Sequence, residues 1–383
     1  MRTGRRLGIA ILFTLILLTQ GCGSSKDIQN MAYVTAIGID YVNGKYVTYV
    51  QILNFSNVAR TENVQLGKET PVWIGQGDGQ TVSGALASIN ETSQLRLFWG
   101  HVKVIFLSEN LMRHGVVETY SAINRYREVR YNIYIYGTKE KMTDILGQQS
   151  LLNLSPLDTQ VFSGTQMNSQ RYFILPVTGN HMIANLDEPG EPAMMPSVEI
   201  ERRNWLEDTK HKPMFKISGA YFFQDRKMSK WMSDMDLKGI RWTDKRIEWL
   251  PVLVPRDGKK AAVVSLGHPR YSAKPILERG SVRFDLKVKV QGLLYELLED
   301  TGIESLEKHT EEVIREEIRT TYLKAQKEEC DPFRLKETLY RTNPKQFWAL
   351  TDRERFFLKP DSIRRIDVRV SIRSTGKYKG RTE

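Results

Sequence analysis

The chain has 383 residues, with 56 Lys and Arg against 45 Asp and Glu, a formal charge of +11 and 40% hydrophobic residues. This composition is that of a globular protein long enough for two or three domains, and it excludes a collagen, a coiled-coil rod or a mainly disordered chain. Two cysteines exclude a disulfide scaffold and a zinc or iron–sulfur site that needs several cysteines. The excess positive charge raises the question of an anionic partner.

The first 22 residues have the pattern of a bacterial export signal. Three arginines among the first six residues precede an uncharged apolar run at residues 7–19. As a helix this run is about 20 Å long, too short for a bilayer core of about 30 Å but typical of a signal peptide. Gly21-Cys22, which follows the run, resembles a lipobox, where the cysteine thiol receives a diacylglycerol. We predict a signal peptide at 1–21, lipid attachment at Cys22 and a lipidated tether at 22–26; the alternative is a signal-region cysteine without a role.

Export changes the meaning of the charge. Removing residues 1–21 removes three arginines, and an anionic membrane beside a basic exported protein accounts for the remaining excess. Basic patches interleaved with stacking aromatic residues are not evident. We therefore expect membrane lipid, and no nucleic acid, as a partner.

Residues 27–150 are predicted to form an α+β domain with the element order β-β-α-β-α-β-α. Tyr33–Ile39 and Lys45–Leu53 are rich in β-branched and aromatic residues and flank an Asn-Gly turn signal, which predicts a hairpin. Gly75–Gly79 is interpreted as a turn before a helix at 81–89. The other predicted elements are a strand at 101–107, a helix from Ser108 to Gly115, a second helix to Tyr126, a strand at 132–137 and a helix capped by Thr138 that ends at Gly147.

The rest of the chain divides into a proline-rich part and a second mixed part. Residues 151–213 predict a connecting region or a small middle domain, residues 214–376 a C-terminal α+β domain, and residues 377–383 a basic tail. Apolar and charged residues alternate at 281–291 and again at 366–372, which predicts two strands with one buried face. We expect an α+β, multi-domain protein, with three domains built on small mixed β-sheets flanked by helices.

Two helix predictions lie between those strands. An amphipathic helix of about 25 residues has Ile314, Ile318, Tyr322 and Ala325 as its inner stripe. Asn343-Pro344 is typical of a helix cap followed by proline at the first helical position.

The sequence gives little indication of catalysis or metal binding. Its six histidines are not paired at spacings typical of metal ligands, and common nucleophile and metalloprotease motifs are absent. Cys330 follows an acidic run that disfavours its thiolate, so we interpret it as an unpaired structural cysteine. Gly75–Gly79 fits neither the dinucleotide nor the Walker phosphate-loop pattern. We predict no enzyme activity, no metal site and no cofactor.

Two further features each have two interpretations. Trp231, Trp242 and Trp249 are interpreted as core anchors or an interface, and the alternative is an aromatic ligand slot. Arg364-Arg365 and the tail at 377–383 are interpreted as a solvated strand end and a frayed terminus, and the alternative is contact with acidic lipid or nucleic acid.

Short segments in a fixed order along the chain resemble the Ger(x)C spore germination lipoproteins. In the first half they are Ala32–Asp40, Gly44–Tyr46, Val50–Asn54, Gly79–Thr81, Ala85, His101–Ile105, Ser108-Glu109, Gly115 and Arg125–Arg130. In the second half they are Ile217–Phe223, Asp225, Lys227-Met228, Trp231, Gly239–Trp242, Ala325-Gln326, Asp331–Phe333, Tyr340, Asn343-Pro344 and Thr375-Gly376. The chain departs from the family at Thr19, where the lipobox usually has Leu, and at 23–27, where the family usually has Trp-Asp after the cysteine.

The resemblance implies three α+β domains and no catalytic activity. It implies a lipoprotein subunit of a nutrient germinant receptor on the outer face of the inner spore membrane, anchored through a diacylglyceryl cysteine and assembled with two integral membrane subunits. Such a receptor is needed for nutrient-triggered spore germination, and direct contact of this chain with the germinant stays open. Two alternatives are a solute-binding lipoprotein of a transporter, with two similar lobes around a cleft, and an exported cell-wall enzyme with converging catalytic groups.

Overall fold

The computed structural model describes residues 31–53, 71–164, 173–256, 259–278, 280–298 and 302–373. The predicted signal peptide, the lipidated tether with Cys22 and the basic tail lie outside the described residues. Within those residues, no helix combines the length and the apolar composition needed to cross a bilayer.

The described residues form strands and helices in a mixed order. The strands are β1 (Met31–Val42), β2 (Lys45–Leu53), β3 (Val72–Gly79), β4 (Arg96–Phe98), β5 (Val104–Ser108), β6 (Tyr134–Thr138), β7 (Val177–Thr178), β8 (Met194–Glu201), β9 (Leu206–Glu207), β10 (Lys210–His211), β11 (Met214–Gln224), β12 (Lys227–Ser233), β13 (Leu250–Arg256), β14 (Lys259–Glu278), β15 (Ser281–Leu297) and β16 (Ile363–Arg373). The helices are α1 (Val82–Ile89), α2 (Glu109–His114), α3 (Val117–Asn124), α4 (Met142–Leu146), α5 (Gly179–Asp187), α6 (Ile303–Lys327), α7 (Leu335–Thr342) and α8 (Pro344–Thr351).

The larger sheet has ten strands, with parallel strands at its centre and antiparallel hairpins on both sides. Its order is β12-β11-β8-β6-β5-β1-β2-β3, with β4 beside β1 and β7 beside β6. Neighbours among β8, β6, β5 and β1 are parallel. In β5, Val104 and Phe106 enter one core while Ile105 and Leu107 enter the other. Burial of both faces is what a parallel strand covered by helices on either side requires.

The smaller sheet has four strands in the order β13-β14-β15-β16, and β16 runs parallel to β15. Its inner face packs against α6, whose predicted stripe Ile314, Ile318, Tyr322 and Ala325 is buried. The core under α6 is continuous with the core on one face of the ten-stranded sheet.

A buried ion pair fixes α6 against the chain segment that leads from the larger sheet to the smaller one. The Glu317 carboxylate of α6 accepts hydrogen bonds from Arg241 Nε at 2.9 Å, Arg241 Nη2 at 2.6 Å and Trp242 Nε1 at 2.9 Å. The side chains of Arg241 and Glu317 are 8% and 12% exposed. Because water hardly reaches either charge, each depends on the other for its stabilisation.

A second contact joins the turn after α5 to α7. Gly190 has φ +95°, and a Cβ there would lie 2.7 Å from the backbone nitrogen of Glu337. The next residue, Glu191, accepts a hydrogen bond from the buried Lys336 Nζ at 2.9 Å and also pairs with Arg355. Glycine therefore allows a close approach that places Glu191 on the ammonium group of Lys336.

The mixed α+β class and the main elements are confirmed. The hairpin of β1 and β2 forms around the Asn-Gly turn. Ser108 Oγ caps α2 by accepting from Leu111 N at 3.1 Å, and Asn343 Oδ1 caps α8 by accepting from Gln346 N at 3.1 Å. The alternating faces predicted at 281–291 and 366–372 lie in β15 and β16.

Two local predictions are wrong. Gly75–Gly79 is part of strand β3, where a Cβ at Gly77 or Gly79 would lie within 2.6 Å of backbone atoms of Ala85 in α1. The glycines therefore serve helix packing on the strand instead of a turn. Thr138 ends β6 and donates to the Val198 carbonyl at 2.8 Å, so α4 begins later, without a side-chain cap.

The ten-stranded sheet takes strands from all three predicted domains. Strands β1–β6 precede residue 151, β7 and β8 lie within 151–213, and β11 and β12 follow residue 213. The proline-rich region contributes both a helix, α5, and a strand, β8, to this larger body. The boundaries at 150 and 213 stay predictions.

Candidate functional site

The cysteine that the structure describes is buried and unpaired. Cys330 is 4% exposed, and burial raises the pKa of its thiol to about 12, with Glu328 adding to the effect. The acidic flank recognised in the sequence is therefore the smaller cause, and desolvation is the larger one. A thiol with so high a pKa supplies no thiolate near neutral pH.

The histidines lie in separate structural settings. His114 stacks on Tyr41 with ring centroids 3.8 Å apart, and His101 packs edge-on against Tyr33 at 5.1 Å. His309 forms a hydrogen bond with the Ser305 carbonyl at 2.7 Å in α6. Across the described ranges, no three His, Cys, Asp or Glu side chains converge as metal ligands would.

The three predicted tryptophans do not form a common slot. Trp242 is 1% exposed and belongs to the core shared with α6. Trp231 lies in β12 with the Lys139 ammonium 3.6 Å above its ring, and Trp249 is partly exposed beside His268. The interpretation as core anchor holds for Trp242.

The most apolar open surface in the described residues is a groove at one end of the ten-stranded sheet. It has a volume of about 550 Å³. Its walls are the loop after α4 and the short hairpin of β9 and β10, and its exposed apolar side chains are Leu151, Leu152, Trp205 and Leu206. We call this surface the apolar groove.

Polar contacts below the apolar groove hold its two walls in place. Gln148 donates a hydrogen bond to the Pro213 carbonyl, which joins the α4 loop to the strand after the hairpin. Arg202 donates two hydrogen bonds to Glu140, at 3.0 and 2.9 Å, and this contact lowers the pKa of the Glu140 carboxyl. The walls are therefore preformed, which reduces the entropy lost when a partner binds.

One leucine in the groove has an unfavourable backbone conformation. Leu152 has φ 57° and ψ 27°, and 75% of it is exposed. A left-handed conformation costs a side chain with a Cβ roughly 1 kcal/mol, and an exposed leucine gains no burial in return. Such strain is common where a surface is shaped for a partner.

Sequence reasoning missed the apolar groove, although a signal was present. Leu151-Leu152 and Leu154 form an apolar run in a region that has no helical or strand period, and Trp205-Leu206 lies in a polar turn segment. Apolar residues in segments with loop composition indicate surfaces that another molecule covers. The predicted site residue Cys22 lies outside the described residues.

These observations define the class of protein. It is a mixed α+β protein whose described part offers an apolar groove for binding and gathers no metal ligands.

Comparison with known proteins identifies the family. A family model described as "Spore germination protein N-terminal domain" matches residues 24–200, and one described as "Spore germination B3/ GerAC like, C-terminal" matches residues 218–376. The chain therefore belongs to the Ger(x)C family of spore germination proteins, as the resemblance predicted.

Individual relatives agree along most of the chain. Spore germination protein KC of Bacillus subtilis (strain 168) is 23% identical over 97% of this chain and 96% of its own length. Spore germination protein B3 of the same organism is 20% identical over 75% of this chain and 74% of its own length. The crystal structure of the GerBC protein matches with a TM-score of 0.50 and 16% identity, covering 91% of this chain and 99% of that chain. At this identity the structural match shows the fold.

Proposed function

We propose that the protein is the lipid-anchored subunit of a spore nutrient germinant receptor and is needed for nutrient-triggered germination. The observation that carries this proposal is the match of two spore germination family models over residues 24–200 and 218–376. The proposal gives the chain a role in binding and assembly and assigns it no catalytic step.

The anchor in this proposal is a diacylglycerol on Cys22, which holds the protein on the outer face of the inner spore membrane. Two acyl chains are sufficient for stable attachment. The described residues begin at Met31, so the anchor and the first strand are nine residues apart. An extended segment of that length reaches about 30 Å, which leaves the folded body close to the lipid surface.

The partners in this proposal are two integral membrane subunits, and we assign the apolar groove to the contact with one of them. Trp205 is 49% exposed between the two walls of the groove, and partly exposed tryptophans surrounded by apolar side chains are frequent hot spots of interfaces. Confinement to one membrane raises the effective concentration of the subunits, so a modest groove is sufficient for assembly.

The anchor is tested by changing Cys22→Ala in the spore-forming host. We expect the protein to leave the spore membrane fraction and nutrient germination to fall, while vegetative growth is unchanged. Cys330→Ala is the matched control, because it removes the other cysteine without touching the lipobox. Normal membrane retention of the Cys22→Ala protein would contradict the anchor, and normal nutrient germination after deletion of the whole chain in a strain without a redundant receptor would contradict the function.

The groove is tested by capturing the complex from spore membranes. Trp205→Ala is expected to weaken recovery of a membrane subunit by about 30-fold, the loss typical of an interface hot spot. Trp73→Ala is the matched control, since Trp73 is 71% exposed on β3 and does not line the groove. Equal recovery of the partner with both variants would remove the groove from the proposal. Tight binding of an amino acid or sugar to the purified chain alone would favour the solute-binding alternative.

A further inference from the structure

The solvent face of the four-stranded sheet carries rows of cations across neighbouring strands. Arg270 of β14 lies opposite Lys289 of β15, which lies opposite Arg369 of β16. All three side chains are exposed, because the helix α6 packs on the other face of this sheet. Adjacent strands are about 5 Å apart, so three positive charges lie within roughly 10 Å of each other.

The same face carries further cations in the adjacent rows. Those without a salt bridge among the described residues are Lys274, Lys287, Arg365 and Arg373. Two acidic side chains, Asp285 and Asp367, share the face, and Asp285 is already paired with Arg364 at its own edge. The face therefore has an excess of positive charge that the protein itself does not neutralise. We call it the basic face.

A row of like charges opposite one another destabilises a sheet. Arg270, Lys289 and Arg369 make no salt bridge within the described ranges, in contrast with Arg364, whose charge is matched by Asp285. The unmatched row is therefore a local cost to the folded state that an anionic partner would relieve. Contact with such a partner gives these side chains a function that fold stability does not.

One end of the basic face is apolar and aromatic. Leu293 and Tyr295 of β15 follow the cation row on the same side of the strand, and Leu253 of β13 and Val263 of β14 lie beside them. Tyr295 is 58% exposed and Leu253 is 44% exposed. Arg373 lies opposite Leu293, which places a cation directly beside the apolar end.

We propose that the basic face docks on the headgroups of anionic phospholipids. Lysine and arginine attract the anionic headgroups, while a tyrosine and leucines enter the boundary below them. A flat sheet face fits a flat surface, and the chain leaves β16 at Arg373 into a tail that adds Lys377, Lys379 and Arg381. This inference rests on the proposed function, because the lipid anchor is what holds the protein beside a membrane. It also replaces the interpretation of this strand as a merely solvated one.

Vesicle binding by the unacylated chain from Gly23 onward tests the docking. That chain keeps every described residue and both hydrophobic cores, and it has no acyl chain to mask the contribution of the protein surface. We expect binding to vesicles of phosphatidylcholine with one third phosphatidylglycerol, much weaker binding to pure phosphatidylcholine, and a loss of roughly tenfold between 0.1 and 0.5 M NaCl.

The triple variant Arg270→Gln, Lys289→Gln, Arg369→Gln is expected to bind about 100-fold more weakly, since each cation near an anionic surface contributes about a fivefold factor. The matched control changes Lys308, Arg319 and Lys327 to Gln, which removes the same charge from the solvent side of α6. This control is expected to retain binding within about threefold. Circular dichroism confirms that both variants fold.

The apolar end has its own variant. Tyr295→Asp is expected to reduce binding to anionic vesicles at least tenfold, and since the side chain is exposed the fold is retained. Equal binding of the triple variant and its control, or equal binding to charged and uncharged vesicles, would overturn the proposal. Binding of single-stranded DNA or polyglutamate without binding of anionic vesicles would overturn it in favour of another anionic partner. Any of these results would leave the Cys22 anchor and the germination phenotype untouched, so failure of the docking is distinguishable from failure of the proposed function.

Discussion

Removing the carboxylate of Glu317 should destabilise the protein more than removing the whole ion pair. In Glu317→Leu, the Arg241 guanidinium keeps its position at 8% exposure but loses two hydrogen bonds and its counter-charge. Loss of one partner of a buried pair costs about 3 kcal/mol or more of the free energy of unfolding. The Trp242 indole also loses its acceptor, which adds about 1 kcal/mol.

The double variant Arg241→Leu, Glu317→Leu separates the two contributions. With both charges absent, the apolar replacements fill the site between α6 and the Trp242 segment, and only the indole hydrogen bond is lost. We expect a loss of about 1–2 kcal/mol, smaller than for Glu317→Leu alone.

Urea unfolding of the chain from Gly23 onward, followed by tryptophan fluorescence, measures both variants against the parent chain. The midpoint should fall most for Glu317→Leu and be partly restored by the second change, with an unchanged slope. A single variant that loses less than about 1 kcal/mol, or a double variant that loses as much as the two single changes added, would refute the reasoning.

Three further predictions concern other contacts. Gly79→Ala should lose about 2 kcal/mol in urea unfolding because its Cβ would lie 2.6 Å from the backbone nitrogen of Ala85; an unchanged midpoint would contradict the packing of α1 on β3. Burial opposes the charged form of Glu191, but the ammonium of Lys336 outweighs it and lowers the pKa of Glu191, so its contribution to stability is present above the unfolded pKa of about 4.3 and is lost as the pH falls through the folded pKa; Glu191→Gln should flatten the stability profile below about pH 5, and an unaltered acid limb would count against this pair. Cys330 should resist a thiol reagent at pH 8 in the folded protein and react fully in guanidinium, because burial raises the pKa of its thiol to about 12; rapid labelling of the folded chain would show that the site opens.

The sequence carries local structure well where one element decides its own pattern. The alternation in β15 and the stripe of α6 follow from burial of a single face, and both are present as predicted. The caps at Ser108 and Asn343 follow from side chains that satisfy free backbone N–H groups in the first turn of a helix. These features depend on residues within one or two turns of each other.

Features that depend on distant segments were not accessible in the same way. Gly77 and Gly79 have the composition of a turn, and only the arrival of α1 on β3 makes them strand residues. The apolar groove joins Leu151 to Trp205, and no local period relates two loops more than fifty residues apart. The basic face likewise exists because Arg270, Lys289 and Arg369 come into register across three strands.

The shared ten-stranded sheet has a mechanical consequence. Strand β8, from the region matched by the N-terminal family model, hydrogen-bonds along its length to β11, and β11 carries β12 from the region matched by the C-terminal model. A cut between residues 201 and 214 would leave the outer edge of β8 bare, with apolar side chains on either side, so each fragment would tend to aggregate. A force applied at the first strand passes through a row of shear-loaded backbone hydrogen bonds to β12. The sheet thus makes the body a stiff plate, able to transmit a small displacement at one edge to the other.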